Sequence, residues 1–472
     1  MINRSNGARV ALFLVLAASA NCVPGADDWP RFRGANGTGV SSSHGLPVDF
    51  GPKKNLVWKI ESPRGTSSPI IAGGKLYFTS YEEDRRTLHC LDPATGATLW
   101  TRSVTKVRSE NATPPNGPAT PTPTTDGESV FVLLPDVGLL CYSATGTEKW
   151  RVDLQPFHSM HGIASSLIVV DGLVIVVADQ LAGSYAAAFK SATGKLVWKT
   201  ERVDGVLGGY STPSVYRAAD GAARLVIPGP LEVVGYEAAT GKRLWWIDGI
   251  SNNPISVPVI WHERAFICEA VGEPVSFAAL ASFDKNKDGK VTLAEVKSNV
   301  SMSRLVERID KGWGHHTGVI GAEDWDKAFG SMVNKGGLVS IDLNGTGDVT
   351  QKNIRWSYRK AVPSISSALL YDDLVYIVRD GSILSTFEAA SGKLVKQARL
   401  QSHSRQYYAS PVAADDLIFL LDVEGGLSVV KAGRDWKTLA TNELGESAWA
   451  TPAISNGRLY VRTNKSLFCF GK

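Results

Sequence analysis

Short apolar runs alternate with turn-forming residues along most of the chain. For example, the run at residues 70–72 and the run at 75–78 flank the pair Gly73-Gly74. Runs of this length, bounded by Gly or Asp, are typical of strands joined by tight hairpin turns. A high glycine content, 46 residues, together with only 4 Met, fits the same interpretation. The pattern therefore predicts an all-β protein.

A sequence motif recurs at the end of each group of predicted strands. Thr-Gly is followed by Trp four positions after the Gly, and a fifth copy has Lys396 in place of Trp. The four complete copies contain Gly96 and Trp100, Gly146 and Trp150, Gly194 and Trp198, and Gly241 and Trp245. We expect the Gly to take a positive φ in a turn and the Trp to wedge between neighbouring units, its N–H bonding to a turn.

A second marker, usually Ser or Thr before Pro, opens each unit. Eight openings lie near residues 69, 121, 166, 213, 257, 367, 411 and 452. The interval from Val257 to Ser367 spans 110 residues, and the others span about 41 to 52. Such a period, built of four short strands, predicts an eight-bladed β-propeller of four-stranded antiparallel blades.

Two details of the predicted blades concern the ends of the chain and the cysteines. The last unit lacks its outer strand, and an unpaired strand with Trp58 lies near the N-terminus. We expect that strand to complete the last blade.

The third strand of a blade needs a small residue at one position, and this position holds Cys90, Ala188, Gly235 and Thr386, with Cys141 and Cys469 in equivalent places. These cysteines, and Cys268, are therefore expected to be packing residues.

The Ala-x-Asp-x-x-Thr-Gly-x-x-x-Trp unit resembles the repeat of quinoprotein-like (PQQ-like) eight-bladed β-propellers. The resemblance covers about residues 29–270 and 335–472, and the segment Asp28–Val40 is similar to the start of exported bacterial members. The family includes PQQ-dependent alcohol dehydrogenases and BamB-type outer-membrane assembly lipoproteins. The dehydrogenases have a vicinal disulfide, a Trp floor, an Asp base and an internal Ca²⁺. This chain has no adjacent cysteines, so PQQ is not expected.

The long interval contains a pattern that carries specific chemistry. Residues 284–295 match the EF-hand sequence D-x-[DN]-x-[DN]-G-x₅-E, in which oxygen ligands surround Ca²⁺. Gly289 makes the sharp bend. The predicted ligands are Asp284, Asn286 and Asp288, the carbonyl of Lys290, Thr292 directly or through water, and both oxygens of Glu295. We expect helices at residues 275–283 and 293–311, and an insertion spliced between two blades.

EF-hands usually pair, and the sequence after residue 295 contains a second loop that is interpreted as a degenerate EF-hand. Aligning Ile320 with Val291 places Gly318 at the bend and Asp324 at the last position. Trp313, His315 and Thr317 then fall where ligands belong, and they are poor calcium ligands. One Ca²⁺ per chain is therefore predicted, as a staple that holds the insertion rather than as a sensor. A transition metal at His315-His316 is the less favoured alternative to solvated histidines.

Arg4 and Arg9 precede a short apolar stretch, which is typical of a secretory signal. The expected organisation is a signal peptide at 1–26, propeller at 27–270 and 335–472, and the EF-hand insertion at 271–334. The protein is expected to be exported to the periplasm or the extracellular space. Acylation of Cys22 is the less favoured alternative. No transmembrane segment is expected.

The formal net charge of +4 comes without a Lys/Arg run, so nucleic acid is not an expected partner. Three aspartates follow apolar strands: Asp136, Asp179 and Asp380. They are either residues of a central funnel or, more simply, turn formers. His158 and His161 are either funnel-mouth residues or solvated loop residues. The sequence therefore favours a non-catalytic exported propeller that binds an unknown protein or small molecule. A dehydrogenase and a BamB-like assembly component are the alternatives.

Overall fold

The computed structural model describes residues 27–204, 208–251, 253–271, 276–312, 314–332, 336–401 and 406–472. The expected signal peptide and Cys22 lie outside these residues. No helix of the described part is long and apolar enough to cross a membrane.

Eight blades of four antiparallel strands confirm the propeller prediction, and the short strand β23 (Gly347–Asp348) adds a fifth, parallel strand to blade 4. Blades 1 to 3 are β2 (Ile70–Ala72), β3 (Lys75–Glu82), β4 (Arg85–Leu91) and β5 (Thr98–Thr105); β6 (Thr124–Thr125), β7 (Ser129–Leu134), β8 (Gly138–Ser143) and β9 (Glu148–Val152); and β10 (Ile168–Val170), β11 (Leu173–Ala178), β12 (Tyr185–Lys190) and β13 (Leu196–Glu201). Blades 4 and 5 are β14 (Ser214–Arg217), β15 (Ala223–Gly229), β16 (Glu232–Glu237) and β17 (Arg243–Asp248); and β18 (Val259–Trp261), β19 (Arg264–Glu269), β22 (Gly337–Asp342) and β24 (Ile354–Tyr358).

Blades 6 and 7 are β25 (Leu369–Tyr371), β26 (Leu374–Arg379), β27 (Ile383–Glu388) and β28 (Leu394–Arg399); and β29 (Val412–Ala414), β30 (Leu417–Leu421), β31 (Gly426–Lys431) and β32 (Lys437–Glu443). Blade 8 combines β33 (Ala453–Ser455), β34 (Arg458–Arg462) and β35 (Ser466–Phe470) with β1 (Leu56–Glu61). Strand β1 pairs with β35, with Trp58 opposite Cys469. The prediction that the N-terminal strand completes the last blade is confirmed.

Three of the four recurrent Trp residues fasten their blade to the next, whereas the indole N–H of Trp245 donates to the Tyr216 hydroxyl of its own blade at 3.1 Å. The indole N–H of Trp100 donates to the carbonyl of Ala144 at 3.1 Å, and that of Trp150 to the carbonyl of Ser191 at 2.9 Å, each in the following blade. The Gly of the next Thr-Gly turn lies under the ring, since a β-carbon at Gly146 would be 2.8 Å from Trp100 Cδ2. The turn and the wedge therefore form one interlocking contact, repeated around the ring.

The cysteines pack as predicted. Cys90, Cys141 and Cys469 lie directly opposite Trp100, Trp150 and Trp58 on the neighbouring strand. Together with Cys268 they are buried and free. Burial raises the pKa of the Cys90 thiol to about 11, which leaves it protonated. A small residue at this position makes room for the indole ring.

The insertion departs from within blade 5, between β19 and β22, and not between two blades as expected. It contains a 3₁₀ turn (Phe277–Leu280), β20 (Lys290–Thr292), α1 (Leu293–Val296), α2 (Val300–Gly312), β21 (Val319–Gly321) and α3 (Ala322–Met332). Its apolar core includes Val291, Ile309 and Trp325, and it packs against Leu231 in the β15–β16 turn of blade 4.

The expected helices of the insertion differ from those found. The entering helix over 275–283 is reduced to the 3₁₀ turn, and the helix over 293–311 is divided into α1 and α2. The division falls at Asn299, whose side chain accepts the N–H of Met302 and so begins a new helix. With helices this short, the structure does not show a clear pair of EF-hands.

Candidate functional site

The inserted loop, residues 284–295, is closed by its own acidic side chains. Glu295 accepts the N–H of Lys285 at 2.9 Å with one carboxylate oxygen and the N–H and hydroxyl of Thr292 at 2.9 and 2.8 Å with the other. The N–H and hydroxyl of Thr292 hold the pKa of Glu295 below its usual range. The twelfth position of the loop is therefore tied back to the residue that follows Asp284.

The first half of the loop bends around Asp284. Its two carboxylate oxygens accept the N–H groups of Asp288, at 3.2 Å, and of Gly289, at 2.9 Å. Gly289 has φ +79°, as the predicted bend requires. The Asn286 amide donates to Asp288 at 2.9 Å. All six predicted ligand residues are thus linked in one hydrogen-bonded network, since the N–H of Lys290 donates to Asp288 at 2.9 Å and that of Asn286 to Glu295 at 3.4 Å.

Strand β20 of this loop pairs with β21 of the second loop. Val291 lies opposite Ile320, which confirms the register predicted for the two loops. Gly318 has φ +75°, matching Gly289. Asp324 accepts the N–H of Gly321 at 3.0 Å.

The second loop is closed by an aspartate that the alignment did not identify. Asp310 accepts the N–H groups of Thr317 at 3.2 Å and of Gly318 at 2.7 Å. Burial opposes ionisation, but these donors hold the pKa of Asp310 below its usual range. Asp310 takes the place that Asp284 has in the first loop, three residues before the aligned position. His315 and His316 are exposed.

Among the described residues, no three His, Cys, Asp or Glu side chains are grouped so that they alone could hold a metal ion. The three predicted carboxylate ligands, Asp284, Asp288 and Glu295, are thus not gathered as such a group. The other half of the predicted set consists of the Asn286 amide, the Lys290 carbonyl and the Thr292 hydroxyl. These hard oxygens, with three carboxylates, suit Ca²⁺ better than a transition metal. The donor chemistry of the loop fits calcium.

A central funnel with a cavity volume of about 400 Å³ lies on the propeller axis. Its wall is formed by hydroxyl residues that precede the innermost strands, and at six of the eight blade junctions a main-chain N–H donates to the hydroxyl of the next blade. The bonds run from Ser68 to Thr122, Thr122 to Ser166, Ser166 to Thr212, Val257 to Ser367, Ser367 to Ser410, and Ser410 to Thr451, at 2.9–3.0 Å. The Ser/Thr openings seen in the sequence are therefore this ring.

The N-terminal segment 29–41 closes the other end of the axis. Trp29 bridges to Ile71 of blade 1, and Gly39 accepts the N–H of Ala413 in blade 7 at 2.8 Å. The guanidinium of Arg31 donates to Pro213 at 2.8 Å, and that of Arg33 to Ala368 at 2.6 Å. Burial lowers the pKa of both arginines to about 9. Nothing in the local sequence of this segment indicates that role.

The aspartates that follow strands have different partners. Asp136 pairs with buried Arg86, and Asp179 makes two hydrogen bonds to buried Arg202, at 2.7 and 2.9 Å. Asp380 accepts the N–H of Tyr407 at 3.3 Å. Asp136 and Asp179 are therefore buried ion-pair residues, and Asp136 also lies in the turn between β7 and β8. None of the three aspartates is among the described lining residues of the funnel. A sequence offers little sign of such pairs, because the partners are distant along the chain.

Of the two candidate histidines, His161 lies on the funnel lining and His158 does not. The His161 ring lies 2.9 Å from the Thr113 hydroxyl and 5.9 Å, between ring centres, from Tyr210. None of the described residues that line the funnel is Asp, Glu, Lys or Arg. PQQ is a tricarboxylate, and among the described lining residues only the His161 imidazole is able to carry a positive charge.

The fold and the ring define the chain as an eight-bladed β-propeller with PQQ-like repeats. Residues 48–205 and 84–279 match the family model described as outer membrane protein assembly factor BamB. Together these matches span just under half of the chain. A comparison with curated proteins finds no match.

Solved structures share the fold at low identity. BamB from Moraxella catarrhalis is 11% identical, with 88% of this chain and 99% of that chain covered at TM-score 0.54. A europium-containing methanol dehydrogenase is 11% identical, with 95% and 98% covered at 0.59. Quinohemoprotein alcohol dehydrogenase from Comamonas testosteroni is 13% identical, with 97% and 82% covered at 0.56. This fold therefore serves both an assembly factor and enzymes.

Proposed function

We propose that this chain is an exported, non-catalytic β-propeller binding protein that holds one Ca²⁺ in the inserted loop. The ligands are Asp284, Asn286, Asp288, the carbonyl of Lys290, Thr292 directly or through water, and Glu295. The observation that carries the proposal is the bond from Lys285 N–H to Glu295, because it brings the last acidic position beside the first. Each carboxylate oxygen of Asp284 accepts one loop N–H and keeps a lone pair for a metal, whereas the Thr292 hydroxyl must turn away from Glu295 before both oxygens of Glu295 can bind the ion.

Calcium in this proposal stabilises the insertion. An ion that binds the folded loop and not the unfolded chain raises stability by mass action. The second loop needs no ion, since Asp310 satisfies its N–H groups at the bend. The paired strands β20 and β21 connect both loops, so one ion orders the whole insertion. A calcium sensor, by contrast, exposes a groove on binding.

The test is calcium titration by isothermal calorimetry, with thermal melting, of the parent and of Glu295→Gln. Asp324→Asn is the matched control because Asp324 holds the corresponding last position in the second loop. We expect the parent and the control to bind one ion and to melt at a higher temperature with calcium. Glu295→Gln should lose both effects. Equal binding by Glu295→Gln, or loss of binding in Asp324→Asn, would contradict the assignment.

A BamB-like role in outer-membrane protein assembly is a second candidate, favoured by the family match over residues 48–279. In that role the propeller face binds a protein of the assembly machinery. Export by the segment 1–26 belongs to both candidates, and lipidation of Cys22 favours this one. Mass spectrometry of the mature N-terminus, with crosslinking in outer-membrane fractions, separates them. A soluble mature chain without crosslinked assembly partners would reject this candidate.

The dehydrogenase alternative receives less support. The described funnel lining carries no charged residue, and the described cysteines are buried and free. Incubation with PQQ and Ca²⁺ should therefore give no quinone absorption band that survives gel filtration with the protein. A retained band together with alcohol oxidation would establish the enzyme.

A further inference from the structure

The funnel is closed at one end and open at the other. Its ring of hydroxyl residues precedes the innermost strands. The segment 29–41 bonds to Ile71, Val215 and Ala413 within those strands, and its Arg31 and Arg33 side chains reach Pro213 and Ala368 directly before them. Phe32 of that segment lines the funnel between the buried side chains of Arg31 and Arg33. The protein therefore contains a deep cup on its axis, with Phe32 among its lining residues.

The wall of the cup presents hydrogen-bond donors. The hydroxyl oxygens of six lining residues accept main-chain N–H groups, and none of these hydroxyls donates a hydrogen bond recorded within the described chain. The six are Thr122, Ser166, Thr212, Ser367, Ser410 and Thr451. Each O–H is therefore able to turn toward a ligand.

The rim adds an acceptor and flat apolar surfaces. The side-chain oxygen of Asn253 is buried without a hydrogen-bond partner in the described residues. Tyr210, Tyr408 and Trp449 line the same cavity. A ligand that satisfies these groups needs acceptors for the ring of hydroxyls, a donor for Asn253 and an apolar face for the aromatic rings.

Charge narrows the class of ligand. No Asp, Glu, Lys or Arg occurs among the described lining residues, so an ionic ligand would lose its hydration without gaining a counter-charge. The cavity volume of about 400 Å³ lies within the usual 300–1,000 Å³ of small-molecule pockets, and the open end lets a longer ligand extend beyond it. The occupant is therefore neutral and rich in hydroxyl groups.

We propose that the funnel binds a neutral oligosaccharide, with sugar rings stacked on Trp449 and Tyr408 and sugar hydroxyls bonded to the Ser/Thr ring. Sugar hydroxyls both donate and accept, which matches the mixture of wall donors and the free Asn253 oxygen. The apolar C–H face of a sugar matches an aromatic ring. This site is independent of the inserted loop and of calcium.

The experiment measures binding of maltohexaose, cellohexaose, mannohexaose and N-acetylchitohexaose to the full chain by calorimetry, with hexagalacturonate as the anionic comparison. Trp449→Ala removes a stacking surface, and Ala164→Trp fills the funnel. Trp261→Ala is the control, because Trp261 lies at the end of β18 and bonds to Asp373 at 2.8 Å, outside the funnel lining. Glu295→Gln, tested in parallel, separates this proposal from the calcium site.

At least one neutral hexasaccharide should bind, at least tenfold more weakly in Trp449→Ala and not measurably in Ala164→Trp. Trp261→Ala and Glu295→Gln should bind like the parent, and each variant is checked by its melting curve. Failure of all four neutral sugars to bind would overturn the proposal. So would binding that survives both funnel variants, or hexagalacturonate binding as tightly as the best neutral sugar.

Discussion

The indole N–H of Trp58 donates to the carbonyl oxygen of Pro93 at 3.0 Å. Trp58 belongs to the N-terminal strand that completes blade 8, and Pro93 lies in a turn of blade 1. A hydrogen bond of the same kind, from a Trp indole N–H to a main-chain carbonyl, joins blade 1 to blade 2, blade 2 to blade 3, blade 3 to blade 4, and blade 5 to blade 6. The ring is therefore closed by the contact that joins most of its other blades.

Trp58→Ala should destabilise the protein by about 3 kcal/mol, as expected for removing a large buried aromatic side chain. The loss combines apolar burial with the bond to Pro93. Chemical denaturation measures it, and Val57→Ala is the control because Val57 is 40% exposed on the same strand. Equal stabilities for the two variants would show that the closing contact contributes nothing.

Glycine in the Thr-Gly turn has two requirements that substitution can separate. Gly194 and Gly172, both in blade 3, have φ +70° and +75°. A β-carbon at Gly194 would lie 2.6 Å from Cε3 of Trp150, whereas one at Gly172 would meet nothing within 4 Å. A side chain at Gly194 is therefore opposed both by the positive φ and by the nearby Trp150 ring, whereas one at Gly172 is opposed by the positive φ alone.

Gly172→Ala should cost about 1 kcal/mol from backbone strain. Gly194→Ala should cost at least about 1 kcal/mol more, because the Trp150 ring must also move. The two free energies of unfolding give the comparison directly. A smaller loss for Gly194→Ala would mean that the ring moves freely and that the turn and the wedge are not interlocked.

Much of the propeller was predictable because its repeat is local. The Thr-Gly-x-x-x-Trp motif specifies a turn and a neighbouring contact within one period, so eight blades and their closure by Trp58 follow from spacing. The role of the N-terminal segment 29–41 was not predictable, since Arg33 bonds to Ala368 across 335 residues. The Arg202–Asp179 ion pair was not predicted for the same reason, because the sequence around each residue gives no sign of its partner.

The insertion was predictable in register and not in helix length. Glycines at the two bends and apolar residues two positions later fixed the pairing of Val291 with Ile320. Asn299 divides the expected helix, because a side-chain cap competes with helix continuation. The location within blade 5 depends on which strands pair, which the interval of 110 residues alone did not specify.

Glu269 gives the stability of the protein a defined pH dependence. It is buried at the end of β19, and burial raises the pKa of its carboxyl to about 8, against hydrogen bonds from Ile255 and Ser256 that lower it. The folded protein keeps Glu269 neutral up to about pH 8, whereas the unfolded chain ionises it near its ordinary pKa of 4.5. The unfolded state is therefore favoured progressively as the pH rises between these values.

Glu269→Gln removes this contribution, since an amide does not titrate. The free energy of unfolding of the parent, relative to the variant, should fall as the pH rises from 4.5 to 8 and level off above that. Denaturation of both proteins across this range measures the difference. A difference that is constant with pH, or that grows in favour of the parent, would contradict a neutral buried carboxyl.

The central claim is that the inserted loop holds one calcium ion. Equilibrium dialysis of the full chain against radioactive Ca²⁺, at saturating concentration, counts the ions directly. The account predicts one ion per parent chain, one per Asp324→Asn chain and none per Glu295→Gln chain. No bound ion in the parent, or an undiminished count in Glu295→Gln, would contradict it.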